Sequence, residues 1–121
     1  MSESFDQHLL DLFTTALEGG IGYWSFCSEY HWSSPVGHSV NPDTLGFFAV
    51  IEDEDETEFR IDRTVLVKGW ALATGEYRDR IRWACGEKPP VVWTQDTDWD
   101  YDAGDADCVV QLGLFGEVVY G

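Results

Sequence analysis

Six aspartates crowd one short stretch of the chain, at Asp96, Asp98, Asp100, Asp102, Asp105 and Asp107. Oxygen ligands at alternate positions suit a hard divalent cation, so calcium is the first chemistry to test. An EF-hand loop needs a glycine at its sixth position and a glutamate at its twelfth. Counted from Asp98, those positions hold Ala103 and Val109, and the match fails. A looser calcium or magnesium site is one alternative, and a solvated acidic loop that also caps a helix is the plainer one. A third reading follows from extended-chain geometry, in which residues two apart point the same way at about 6.6–6.8 Å. Asp96, Asp98, Asp100 and Asp102 would then form a row of charges spaced much like successive phosphates, anchored by Trp99 and Tyr101 on the other face. The turn Glu52-Asp53-Glu54-Asp55-Glu56, with Glu58, is a second such cluster. Surfaces of this kind can occupy a groove built to neutralise DNA. Acid runs also serve solubility alone.

Two other sets of residues invite chemistry. Arg60, Arg63, Lys68, Arg78, Arg80, Arg82 and Lys88 include every basic residue of the chain. Internal pairing with the abundant acids accounts for such a patch. The functional alternative is a pocket for an anionic nucleotide, with Arg78, Arg80 and Arg82 on phosphates and Trp70 or Trp83 stacked on the base. A homo-oligomer joined through the aromatic surface would help to close that pocket. Cys27 and His31, four residues apart on a strand, stand about 13 Å apart, too far for a nucleophile and its base. His8, His31 and His38 have no metal-ligand spacing. No catalytic, metal or cofactor-binding residue is therefore assigned, and the expected mode of action is binding.

The composition bounds these readings. At 121 residues the chain makes one domain, 1–121, with one modest core. Its apolar content of 44% and six Trp are too high for disorder, despite a net charge of −16. The charge is segregated: residues 1–59 and 89–121 contain no Lys or Arg, and all seven basic residues lie between 60 and 88. Such an acidic surface disfavours direct binding to nucleic acid or anionic membranes. Cys27, Cys85 and Cys108 are odd in number, widely spaced and without a C-x-x-C pair, which suits core thiols in a reducing compartment. No signal peptide and no membrane span are visible.

The elements that must position the acids are legible in outline. Ser4 with Gln7 forms a capping-box pattern, and Phe5, Leu9, Leu12, Phe13 and Ala16 recur at helical spacing up to Gly19-Gly20, where left-handed glycine ends the helix. Ile21–Trp32 reads as a strand with Trp24, Phe26, Tyr30 and Trp32 on one face. Leu45–Ile51 and Thr57–Ile61 read as strands flanking the charged turn. Asp62–Ala73 reads as a helix capped by Asp62 and closed by Gly75. Glu76–Cys85 is helix or strand, and Val91-Val92-Trp93 a short strand. A last helix runs from about Val109 to Val119, capped by Asp105 or Asp107, with Gly113 and Gly116 allowing another backbone close. The sum is an α+β domain, a small antiparallel sheet packed with about three helices.

Two motifs carry a resemblance. Leu17-Glu18-Gly19-Gly20-Ile21-Gly22-Tyr23-Trp24 and the ending Asp105-Ala106-Asp107-Cys108-Val109-Val110-Gln111-Leu112-Gly113-Leu114-Phe115-Gly116-Glu117-Val118-Val119-Tyr120-Gly121 resemble a family of small bacteriophage accessory proteins of actinobacterial type. Those proteins pair an EGG-x-x-YW helix end with a C-terminal AD-x-x-VQ-x-x-x-FGE-x-VYG. The resemblance covers about 25 residues and brings no catalytic residues. It implies an accessory protein acting in the host cytoplasm. With the charge, it sets the expectation of an acidic inhibitor of a host nucleic-acid-processing or defence protein, binding by DNA mimicry. Nucleotide sequestration and calcium-dependent interaction are the alternatives.

Overall fold

In the computed structural model the described residues are 2–31, 47–94, 97 and 99–121. Helix α1 spans Ser2–Thr15 and runs on through a π-helical turn, Ala16–Gly20. Its backbone is already helical at Ser2, so Ser4 lies inside the first turn and not at the cap. Gly19 and Gly20 do not take positive φ. Gly20 is needed for room, since a Cβ there would meet the Ala103 carbonyl oxygen at 2.6 Å.

Strands β1 (Ser25–His31), β2 (Phe48–Asp53) and β3 (Glu58–Asp62) form an antiparallel sheet in the order β1-β2-β3. Ala49 pairs with Ile61 and Ile51 with Phe59, which sets the buried face. A β-bulge between Cys27 and Glu29 breaks the expected alternation of β1. Because one extra residue inverts the facing of everything beyond it, Phe26 and Tyr30 part company. Phe26 pairs with Glu52 on the outer face, while Tyr30 pairs with Ala49 and stacks on Phe13 at 6.0 Å.

Helix α2 (Arg63–Thr74) begins where expected, with the Asp62 carboxylate accepting from the Val65 N–H. Residues 75–93 contain neither the second helix nor the short strand that the pattern allowed. Successive turns replace them, held by Trp83 Nε1 donating to the Arg78 carbonyl and Arg78 Nε donating to the Pro89 carbonyl, which draw the segment back on itself.

Helix α3 spans Ala103–Phe115, six residues earlier at its start than expected, and its cap is Asp102. Asp102 accepts from the Gly104 and Asp105 N–H groups while Asp105 accepts from the Asp102 N–H, a capping box. Gly116 takes the left-handed C-terminal position at φ 76°, so its role is to end the helix. Gly113 does admit a backbone: a Cβ there would run into the Val65 carbonyl. The core joins Leu9, Leu12 and Phe13 of α1, Ile51 and Ile61 of the sheet, Leu66 of α2, and Val109, Val110 and Leu112 of α3.

Candidate functional site

The hairpin between β2 and β3 is shaped by one of its own acids. Asp53 Oδ1 accepts from the Asp55 and Thr57 N–H groups at 2.9 and 3.0 Å, and Glu56 sits at φ 63°. Asp53 is thereby engaged within the turn. Glu54, Asp55, Glu56 and Glu58 are exposed, and Glu52 is half-buried. Desolvation, with the carboxylates of Asp53, Asp55 and Glu54 nearby, raises the Tyr120 hydroxyl above its usual range. The tip is thus a concentrated acidic surface.

The aspartate tract is divided by the fold. Asp96 and Asp98 lie outside the described residues, so the row of four is not placed as a whole. Asp100 is exposed, and its N–H donates to Glu87 Oε2. Trp99 and Tyr101 pack against the core, stacked on each other at 4.9 Å. Asp102 is exposed but serves as the cap. Asp105 and Asp107 are buried, and neither is the N-cap residue as expected: Asp105 closes the capping box from the third helical position and also accepts from the Ala84 N–H, at 2.6 Å.

One set of metal-capable groups occurs among the described residues: Cys85, Asp102 and Asp105, with ligand atoms within 4.8 Å of one another. Both carboxylates already hold the capping box. The Cys85 thiol is pushed up to about 11 by desolvation and the carboxylates of Asp102, Asp105 and Asp100, which opposes thiolate formation.

The basic segment is largely paired. Arg63 donates through Nε and Nη2 to Asp6, Lys88 meets Asp79 at 2.6 Å, Arg80 meets Glu76 at 3.4 Å, Arg60 meets Asp62 at 3.3 Å, and Arg78 lies 3.8 Å from Asp79. Arg82 is exposed with no ion pair among the described residues. Trp70 and Trp83 are buried in the core. The structure therefore does not bring Arg78, Arg80 and Arg82 together with an open indole face.

The two sequence motifs meet in space. Asp107 accepts from the Tyr23 hydroxyl at 2.6 Å, Trp24 Nε1 at 2.9 Å and Gln111 Nε2 at 2.9 Å. Gln111 Oε1 accepts from the Val119 and Tyr120 N–H groups, folding the C-terminal segment back so that Tyr120 stacks on Trp24 at 4.6 Å. A buried carboxylate with no cation beside it among the described residues is held by three donors, as burial demands. Sequence reasoning read these aromatics as packing but missed Asp107 and Gln111 as the polar centre; their four-residue spacing on a helix was the available signal.

His8 was also missed. It is buried in a cage of Phe5, Trp70, Trp93, Trp99 and Tyr101. Cys27 is exposed, and His38 lies outside the described residues. No helix among the described residues is long and apolar enough to cross a membrane. No family model matches the chain, and no curated protein or solved structure matches it.

Proposed function

We propose that this protein is a phage-encoded acidic inhibitor that acts by binding, in the host cytoplasm, a host protein that processes or defends nucleic acid, and that it does so by presenting DNA-like charge. The observation that supports this reading most is where the compensating charge goes. Among the described residues, five of the seven basic side chains pair with Asp6, Asp62, Glu76 and Asp79. The exposed acids of the hairpin, Glu54, Asp55, Glu56 and Glu58, and those beside the start of α3, Glu87 and Asp100, have no Lys or Arg partner among the described residues. Acids left uncompensated on a folded surface provide the field that a DNA-binding groove attracts.

Immobilised protein incubated with bacterial lysate tests the reading. A DNA-handling protein should be retained, and should be released by duplex DNA and by moderate salt. The variant E54Q/D55N/E56Q/E58Q should weaken that retention at least tenfold and flatten its salt dependence. Unchanged retention by the variant, or release by salt but not by DNA, would overturn the proposal.

A further inference from the structure

The outer face of the sheet holds one arginine cradle already filled. Phe48 lies opposite Asp62 across β2 and β3, and Arg60 stands on the same face of β3. The Arg60 guanidinium sits 4.3 Å from the Phe48 ring centre, and its Nε donates to Asp62 Oδ2 at 3.3 Å. A planar cation is thus held by an aromatic face and a carboxylate together, an arrangement that suits guanidinium better than ammonium.

The same ingredients recur at the other end of that face without a cation. Phe26 pairs with Glu52, and Glu52 pairs with Glu58, one row crossing all three strands. Side chains paired this way stand about 4.5–5.5 Å apart at Cβ. Phe26 is 68% exposed, and neither glutamate has a Lys or Arg partner among the described residues. The bulge after Cys27 is what puts Phe26 on the outer face while Tyr30, still half exposed, lies on the opposite face against Phe13.

We infer that the row Phe26–Glu52–Glu58 is a docking cradle for an arginine side chain of the partner protein. The inference rests on the reading of the partner as a basic, DNA-binding protein and names the side chain that the surface takes. Charge complementarity selects the occupant: two carboxylates beside a bare aromatic face complement a planar cation. A nucleic acid is repelled there, and so is a second copy of a chain carrying −16. The neighbouring Glu54, Asp55 and Glu56 strengthen the field that draws a basic segment in, while Phe26 supplies discrimination of arginine from lysine.

Titration of the full chain with hexa-arginine and hexa-lysine peptides tests this, with affinities measured by calorimetry and contacts mapped by amide NMR shifts. Hexa-arginine should bind about two- to fivefold more tightly than hexa-lysine, the gain expected of one exposed cation–π contact. Phe26→Leu keeps an apolar side chain at an exposed position but removes the ring face; it should bring the two peptides to parity by weakening hexa-arginine alone. The amides of Phe26, Glu52 and Glu58 should shift most. Equal affinities for the unaltered protein, a preference that survives Phe26→Leu, or shifts centred elsewhere would overturn the cradle. None of these results touches the charge reading, which stands or falls on the lysate capture and the hairpin variant.

Discussion

At the level of single residues, His8 shows what burial does to a titratable group. Trp93 stacks on its ring at 3.9 Å, Trp70 meets it edge-on at 4.5 Å, and its Nε2 is buried without a hydrogen-bond partner among the described residues. Desolvation pushes its pKa down to about 4. The fold therefore favours the neutral ring. Above about pH 6.5 folded and unfolded chains are both neutral there, and the stability is whole. As the pH falls from 6.5 towards 4 the unfolded chain takes up a proton that the folded one refuses, and stability drops by about 1.4 kcal/mol per pH unit. Chemical denaturation from pH 8 to 4.5 should show this loss, and His8→Phe should flatten it. A pH slope unchanged by His8→Phe would mean that other groups carry it. The thiols follow a similar logic: burial, then the carboxylates of Asp107, Asp105 and Asp102, push Cys108 up to about 12.

At the level of elements, the contact between α2 and α3 is made possible by two glycines facing opposite backbones. A Cβ on Gly69 would run into the Val109 carbonyl, and one on Gly113 into the Val65 carbonyl. Neither obstacle is a flexible side chain, so the helices would have to move apart. Gly69→Ala and Gly113→Ala should each cost about 3 kcal/mol, at the upper end of the usual range for overpacking. Gly116→Ala, which has open space but a left-handed backbone, should cost about 1 kcal/mol. Urea midpoints of the three variants would check the order. An equal, small loss in all three would show that the helices can slide. The α3 cap behaves differently, because Asn caps nearly as well as Asp; Asp102→Asn therefore removes a charge while keeping the helix start.

At the level of the whole molecule, the surface holds far more negative charge than its ion pairs neutralise. Exposed pairs such as Arg80–Glu76 contribute little. Mutual repulsion among the acids works against the compact state and is screened over about 10 Å at 0.1 M salt. Raising sodium chloride from 20 to 500 mM should therefore raise the melting temperature by several degrees. A fall instead would mean that the surface ion pairs outweigh the repulsion. The same excess charge underlies the proposed function, so folding stability and partner binding should respond to salt in opposite directions.

The amino-acid sequence alone determined whatever depends on neighbours along the chain. The α2 boundaries followed from Asp62 and Gly75, the β2–β3 hairpin from the charged turn between two apolar runs, and the α+β class from the order of the elements. Capping and periodicity are local, and so they can be read from a string of letters. Tertiary structure decided the rest. It made Asp102 the cap and buried Asp105 and Asp107, because which acid meets water depends on where α3 docks. It moved Phe26 to the outer face through a bulge that no alternation of residues announces. It joined Tyr23 and Trp24 to Asp107 and Gln111, some eighty residues away, because a buried carboxylate must find donors wherever the fold supplies them.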